Sequence, residues 1–335
     1  MKPTTRYKLL GLPHLALLLT AASAMGGTDT AVAPAPAPAA ITTPEWLKIS
    51  GYAAIAYTYT DTGENRRTFA DGNTPFDATK VVFQANQGPL GGYVSLFYTP
   101  GIAGQQGGIL DAYATYKTGD VTFTAGKYLS YLGYEAFDTA SMNQITYANT
   151  LGAIPAYHSG IKADYATDTF GAGVNVSDSI RGQGFWDGDG NFDNGLGYEG
   201  YLTYKGIDKL TLWSGFAYEN AQAKGEHDFV TYDGWASYDI TPKTTIAAEV
   251  AYHDGDARGI QGLGFLKYAF TKQFSTALRI GFDEVSRGGH DHMSYTISPT
   301  YAFTDNFLIR AELTVNSTKT VGDSTFSGIQ ALLKF

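Results

Sequence analysis

The chain of 335 residues carries 32 acidic and 23 basic side chains, a formal charge of −9, and has no cysteine. This balance argues against a nucleic-acid partner, and the missing cysteines exclude disulfides and thiolate metal sites. Tyrosine (24), phenylalanine (19) and glycine (40) are abundant and only 16% of residues are charged. Beyond the first residues, no apolar run reaches the roughly 18 residues that a membrane helix requires.

Residues 1–24 read as a signal peptide. Lys2, Arg6 and Lys8 form a basic start, Leu9 to Leu19 an apolar core, and Ala22-Ser23-Ala24 a small-residue cleavage site. The mature chain is therefore expected to begin near Met25 and to act outside the cytoplasm. Residues 25–45 read as a linker, because the alternating Ala-Pro run from Ala33 to Ala40 is extended and cannot pack a core. It reads as a spacer, with a periplasmic docking arm as the alternative.

From Trp46 onward the chain changes character. In Trp46–Thr60, Ile49, Gly51, Ala53, Ile55, Tyr57 and Tyr59 fall on one face, and Lys48, Ser50, Tyr52, Ala54 and Thr58 on the other. That is the period of a strand. The same alternation predicts strands near 79–87, 90–99, 109–117, 121–127, 158–166, 170–177, 197–205, 210–218, 228–238, 244–253, 260–270, 274–284, 292–302, 306–316 and 325–335. Only the strand near 260–270 is ambiguous, because Leu263, Phe265 and Leu266 blur its period.

The connections alternate between short and long. Tight turns stand at Gln87, Thr118, Thr167, Gly206, Thr241, Thr271 and Thr304, and longer polar stretches lie between them, at 61–78, 100–108, 128–157, 178–196, 219–227, 254–259, 285–291 and 317–324. Tight turns at one end, long loops at the other and tyrosines at the rims of the apolar face match a transmembrane up-and-down antiparallel β-barrel of sixteen strands. A soluble sandwich would hide its apolar faces between two sheets and has no reason for that asymmetry. The even strand count places both termini of residues 46–335 on the periplasmic side of an outer membrane. On the last strand Ile329, Ala331, Leu333 and Phe335 share the lipid face, while Gln330 and Lys334 face inward. That strand must close against Trp46–Thr60.

The segment Gly126–Tyr165 carries Gly126-Lys127, Gly133, Glu135, Asn143, Pro155, His158 and Gly160. In these it resembles the OmpL-like beta-barrel porins of the outer membrane, which implies a diffusion channel. The terminal Phe335 likewise resembles the signal read by the bacterial barrel assembly machinery.

Sixteen strands leave a water-filled lumen. By alternation the inward charges include Lys48, Lys80, Asp111, Lys117, Lys162, Asp164, Glu199, Asp233, Glu249, Lys267, Arg279, Asp283, Arg310 and Glu312. They read either as paired wall charges or as an eyelet that orients polar solutes. The connection 128–157 is too apolar to stand in water, with Tyr131, Leu132, Phe137, Met142 and Ile145 among its residues. It is expected to fold into the mouth and narrow it, with Glu135 and Asp138 against basic wall residues; the alternative is packing over the top or against another subunit. The lining and constriction set is then Lys127, Glu135, Asp138, Lys162, Asp164, Glu199, Arg279, Arg310 and Glu312.

Trp213 and Trp235, inward on adjacent strands, offer faces for a saccharide or simply pack on the wall. Asp187, Asp189, Asn191 and Asp193 have the spacing of the start of a calcium loop, but Phe192 and Tyr198 stand where such a loop has Gly and Glu. A solvated acidic loop is the other reading, and no cofactor is otherwise implied. His290 and His292 share a strand face without a third metal ligand. His158 and Ser159 are adjacent on a strand and point to opposite faces, so they cannot form a catalytic dyad.

The sequence thus predicts a porin, not an enzyme, set in outer-membrane lipid and passing small hydrophilic solutes. A barrel acting through loops 61–78 and 178–196, or an outer-membrane hydrolase, are the alternatives. Such barrels are often trimeric, but no long stripe singles out a subunit interface.

Overall fold

The computed structural model describes residues 43–61, 66–69, 77–99, 107–135, 137–148, 152–180, 195–221, 226–319 and 322–335. The stretch expected to be a signal peptide, most of the expected linker and the acidic residues Asp187, Asp189, Asn191 and Asp193 lie outside these.

The described residues form β1 (Leu47–Asp61), β2 (Arg66–Phe69), β3 (Ala78–Gln87), β4 (Leu90–Tyr98), β5 (Gly107–Thr118), β6 (Val121–Leu129), β7 (Tyr157–Ala166), β8 (Phe170–Ser177), β9 (Gly197–Ile207), β10 (Leu210–Glu219), β11 (Phe229–Thr241), β12 (Thr244–Asp254), β13 (Arg258–Ala269), β14 (Phe274–Arg287), β15 (His292–Ala302), β16 (Phe307–Thr318) and β17 (Gly322–Lys334). Each strand pairs antiparallel with its neighbours in one continuous sheet. β1 closes the ring, with Tyr52 level with Lys334 and Asp61 level with Thr325.

The short β2 lies inside the predicted loop 61–78. Its Phe69 stands level with Tyr57 of β1, while β3 pairs with the earlier part of β1, where Lys80 stands level with Tyr52. Both sit on the edge of β1 opposite β17, so β2 and β3 form one interrupted stave. The barrel therefore has sixteen staves. Among the described residues every stave has a partner on each side, the condition for placing strands in lipid.

Period two sorts the side chains. Ile55, Leu96, Ile161, Val174, Leu202, Val250, Ile280 and Leu313 are exposed on the outside. An apolar belt of that extent is stable only against hydrocarbon. Aromatic residues cluster toward the tight turns, where Tyr268 packs edge-on to Phe270, Phe270 stacks on Phe274 and Tyr301 packs edge-on to Phe303. Such girdles sit at headgroup level. The turns follow from local backbone needs: Gly88, Gly119 and Lys209 all adopt positive φ, near 59°, 59° and 63°. Gly pays no steric penalty there, and Lys209 is the non-glycine exception.

The ambiguous stretch in β13 resolves in the same way. Leu263 and Phe265 are buried inside the barrel while Leu266 is exposed outside. Its inner face is apolar because something apolar packs on it, as described below.

The chain closes on an aromatic that is held by the sheet. The Phe335 N–H donates to the Gly51 carbonyl and the Gly51 N–H donates to the Phe335 carbonyl, both at 3.0 Å. The Phe335 ring lies over Gly51, where a Cβ would come within 2.6 Å of its Cζ. The same Cβ would lie 2.2 Å from the Lys80 carbonyl oxygen, so valine at this position must shift the β3 backbone as well as the ring. Gly51→Val is expected to cost about 1–3 kcal/mol of stability through overpacking. A lowered temperature for loss of the folded, faster-migrating gel band would show it; an unchanged temperature would refute this account of the seam.

Candidate functional site

The connection between β6 and β7 lies against the inner wall. A backbone without regular structure must find partners for its N–H and C=O groups when water is removed. Here charged wall residues supply them. Glu199 on β9 accepts from the Ser130 hydroxyl at 2.5 Å and from the Tyr131 N–H at 3.5 Å. Asp233 on β11 accepts from the Gly133 N–H at 2.9 Å, and Glu249 on β12 from the Tyr134 N–H at 2.6 Å. Glu312 on β16 accepts from the N–H groups of Ile145 and Thr146.

The basic residues do the converse. Arg310 donates to the carbonyls of Met142, Gln144 and Thr139 at 2.8, 2.9 and 3.2 Å. Arg279 on β14 donates to the Thr146 carbonyl and pairs with Glu135 at 2.7 Å. The second Glu135 oxygen accepts from the Ala148 N–H at 2.8 Å. Lys80 on β3 sits 3.3 Å from Asp111 and 3.4 Å from Asp138. Glu199, Asp233, Glu249, Arg279, Arg310 and Glu312 are all buried, at 4% exposure or less. Carboxylates take N–H groups, guanidinium groups take carbonyls, and the anchors come from opposite sides of the ring. Charge-assisted bonds of this kind are roughly twice as strong as neutral ones.

Apolar contacts fill the intervals. Ala148 packs with Ala247, Leu263, Phe265 and Ala277, and Tyr134 lies against them. Leu132 packs with Ile180, Ala217 and Phe229, and Ala156 with Tyr52, Phe97 and Leu110. The wall makes room at Gly281, where a Cβ would come within 2.9 Å of the Ala148 Cβ. Burial pushes the hydroxyls of Tyr131 and Tyr134 above the ordinary phenol range.

The remaining sequence candidates fall in different places. The Lys162 Nζ lies 4.7 Å from the ring centres of both Tyr128 and Tyr131, and its row-mate Asp164 stands level with Gly173. Lys127 departs from the expected lining. It stands level with Ala112 and Ser159, in the row of the exposed Phe123 and Ala125. Period two puts that row opposite Thr124 and Tyr128, which are buried inside.

Trp213 and Trp235 are level on β10 and β11, with centroids 5.9 Å apart and planes 6° apart. Tyr201 extends the row at 6.1 Å from Trp213, and Tyr134 of the connection meets Trp235 at 5.5 Å. His158 is fully buried, 3.2 Å from Glu199 and 3.0 Å from the Asn175 amide. His292 meets Asn316 at 3.2 Å and Asp283 at 3.5 Å. Nearby, outside the strands, a hydrogen bond from Lys319 holds the Asp291 carboxyl below its usual range.

Sequence reasoning singled out the wall charges but missed Ser130, Thr146 and Thr231, whose hydroxyls meet Glu199, Glu312 and the Ala153 carbonyl. A lone hydroxyl carries no sequence signal of its partner.

Replacing Arg279 with methionine leaves Glu135 of the connection, packed against the wall, without its cation. Breaking a buried pair from one side typically costs about 3–5 kcal/mol. Arg279→Met is therefore expected to loosen the connection while the barrel remains closed. Limited proteolysis of the folded protein should cut between residues 137 and 148 in the variant and leave the parent chain intact. Equal resistance in both would show that the pair does not hold the connection.

The fold and family place the chain among known proteins. The anion-selective porin of Comamonas acidovorans superposes with a TM-score of 0.67 at 13% identity, covering 86% of this chain and 99% of that one. OprB of Pseudomonas putida gives 0.69 at 10% identity, with 86% and 94% covered. The channel DcaP of Acinetobacter baumannii gives 0.63 at 13%, with 86% and 97% covered. At these identities the likeness is one of fold. No curated protein matches the chain in sequence. Residues 46–332 match the family described as "Putative beta-barrel porin-2, OmpL-like", and the chain belongs to that family of outer-membrane porins.

Proposed function

We propose that the barrel passes small hydrophilic solutes passively down their gradients, through a lumen that the β6–β7 connection narrows. The observation that carries this reading is the anchoring of that connection by charged residues on β9, β11, β12, β14 and β16. A segment held from many sides sets a fixed aperture, whereas one tethered at its ends would not. Glu135, Asp138, Arg279, Arg310 and Glu312 set the narrowing, and Glu199, Lys162 and Asp164 border it. The long loops face outward from the cell, and the tight turns and both chain ends face the periplasm. Phe335, seated on Gly51, serves as the assembly signal. The row Tyr201, Trp213 and Trp235 offers flat faces to ring-shaped solutes. Trimer formation and a calcium ion at the acidic loop belong to the same proposal.

The dense anchoring also favours a second reading, in which the connection shuts the lumen and the outer loops do the work. Single-channel recording of the mature chain refolded into a planar bilayer separates the two. Stepwise conductance is expected, with larger or noisier steps in Arg279→Met as the connection loosens. Electrical silence from protein that keeps its folded, heat-sensitive gel band would sink the open-pore reading.

A further inference from the structure

On the tight-turn side of the connection, a cavity of about 190 Å3 lies between Lys267 of β13, Arg310 of β16 and Lys334 of β17. The hydroxyl residues Ser275 and Thr300 line it from the two strands between β13 and β16, and Ser141 lines it from the connection. Ser275, Thr300 and Arg310 stand level across neighbouring strands, so they form a built row and not a chance approach of mobile loops. No carboxylate lines this cavity. Among the described residues no Asp or Glu lies within ion-pair distance of Lys267 or Lys334. Arg310 gives its terminal nitrogens to the connection, but its buried Nε has no partner.

Three cations around a small polar space repel one another. Lys80 and Arg279 in the same lumen meet Asp111 and Glu135, whereas among the described residues Lys267 and Lys334 have no such counter-charge and Arg310 is met only by neutral carbonyls. A low-dielectric wall with one sign of charge concentrates ions of the other sign. The hydroxyls add donors of the kind that oxyanions accept. The cavity is smaller than the roughly 300–1,000 Å3 that encloses a drug-sized ligand. It therefore suits an anionic group and not a bulky solute as a whole.

We propose that a small oxyanion binds between Lys267, Arg310 and Lys334, either free or as the phosphate or carboxylate end of an organic solute. This deepens the open-pore reading by naming a solute class, and its role in transport rests on that reading.

Two readouts keep the site and the pore apart. In bilayers under a salt gradient, the reversal potential should show anion preference. Added inorganic phosphate, or acetate as a carboxylate probe, should reduce the chloride current saturably. In the double variant Lys267→Ala/Lys334→Ala, block should weaken by about tenfold or more, and the preference should move toward cations. Separately, binding of inorganic phosphate to the folded barrel in detergent, followed by phosphorus NMR line broadening, should be lost in the same variant. The gel-shift assay confirms that the variant is folded. Block by phosphate alone assigns a phosphate-type oxyanion, and block by both probes assigns anionic groups more widely. Conductance with no anion preference, no block and no binding would overturn the site and leave the pore standing. Binding without conductance would support the site and remove the pore.

Discussion

The arrangement depends on charge-assisted hydrogen bonds between the barrel wall and a backbone that has no sheet of its own. The β6–β7 connection cannot bring its N–H and C=O groups into a crowded lumen unless they are met there, because each unmet group costs about 1–3 kcal/mol. Wall carboxylates and guanidinium groups meet them by chemical type: Glu199, Asp233, Glu249 and Glu312 accept, and Arg279 and Arg310 donate. Backbone groups are the same at every residue. The wall therefore fixes the path of the connection without relying mainly on its side chains.

The apolar packing follows from this. Once the backbone is anchored, its side chains must sit somewhere dry. The inner wall meets them with Leu263, Phe265 and Ala277, and with a bare backbone at Gly281. These positions break the rule that the inner face of a water-filled barrel is polar. They break it only where the connection covers the wall. The same strand returns to Lys267 toward the tight turns, where the cavity opens.

The strands were legible in the sequence because period two survives wherever one face meets lipid. The turns were legible because their backbone angles demand particular residues. Leu263 and Phe265 blurred the pattern for a reason invisible along the chain, since the segment that buries them lies more than a hundred residues away. Arg66–Phe69 showed no strand signal of its own and is recruited by pairing on β1. Of the wall charges, alternation supplied the inward side for Glu199, Arg279, Arg310 and Glu312, but not their partners, which depend on register. Lys127 shows the converse, because its neighbours in the family motif say nothing about which face it occupies.

The balance of charge in the lumen differs from that of the chain. Acidic residues outnumber basic ones, 32 to 23, so overall charge alone would suggest a pore that favours cations. The structure distributes those charges unevenly. Glu199, Asp233, Glu249 and Glu312 are turned to the connection's backbone, and Glu135 and Asp111 are met by Arg279 and Lys80. A carboxylate bonded to N–H groups has its field partly cancelled by those dipoles and offers little to a passing ion. Lys267 and Lys334 have no such cancellation. Selectivity in such a lumen is set by the charges that folding leaves uncompensated, and around the cavity between β13 and β17 those charges are positive.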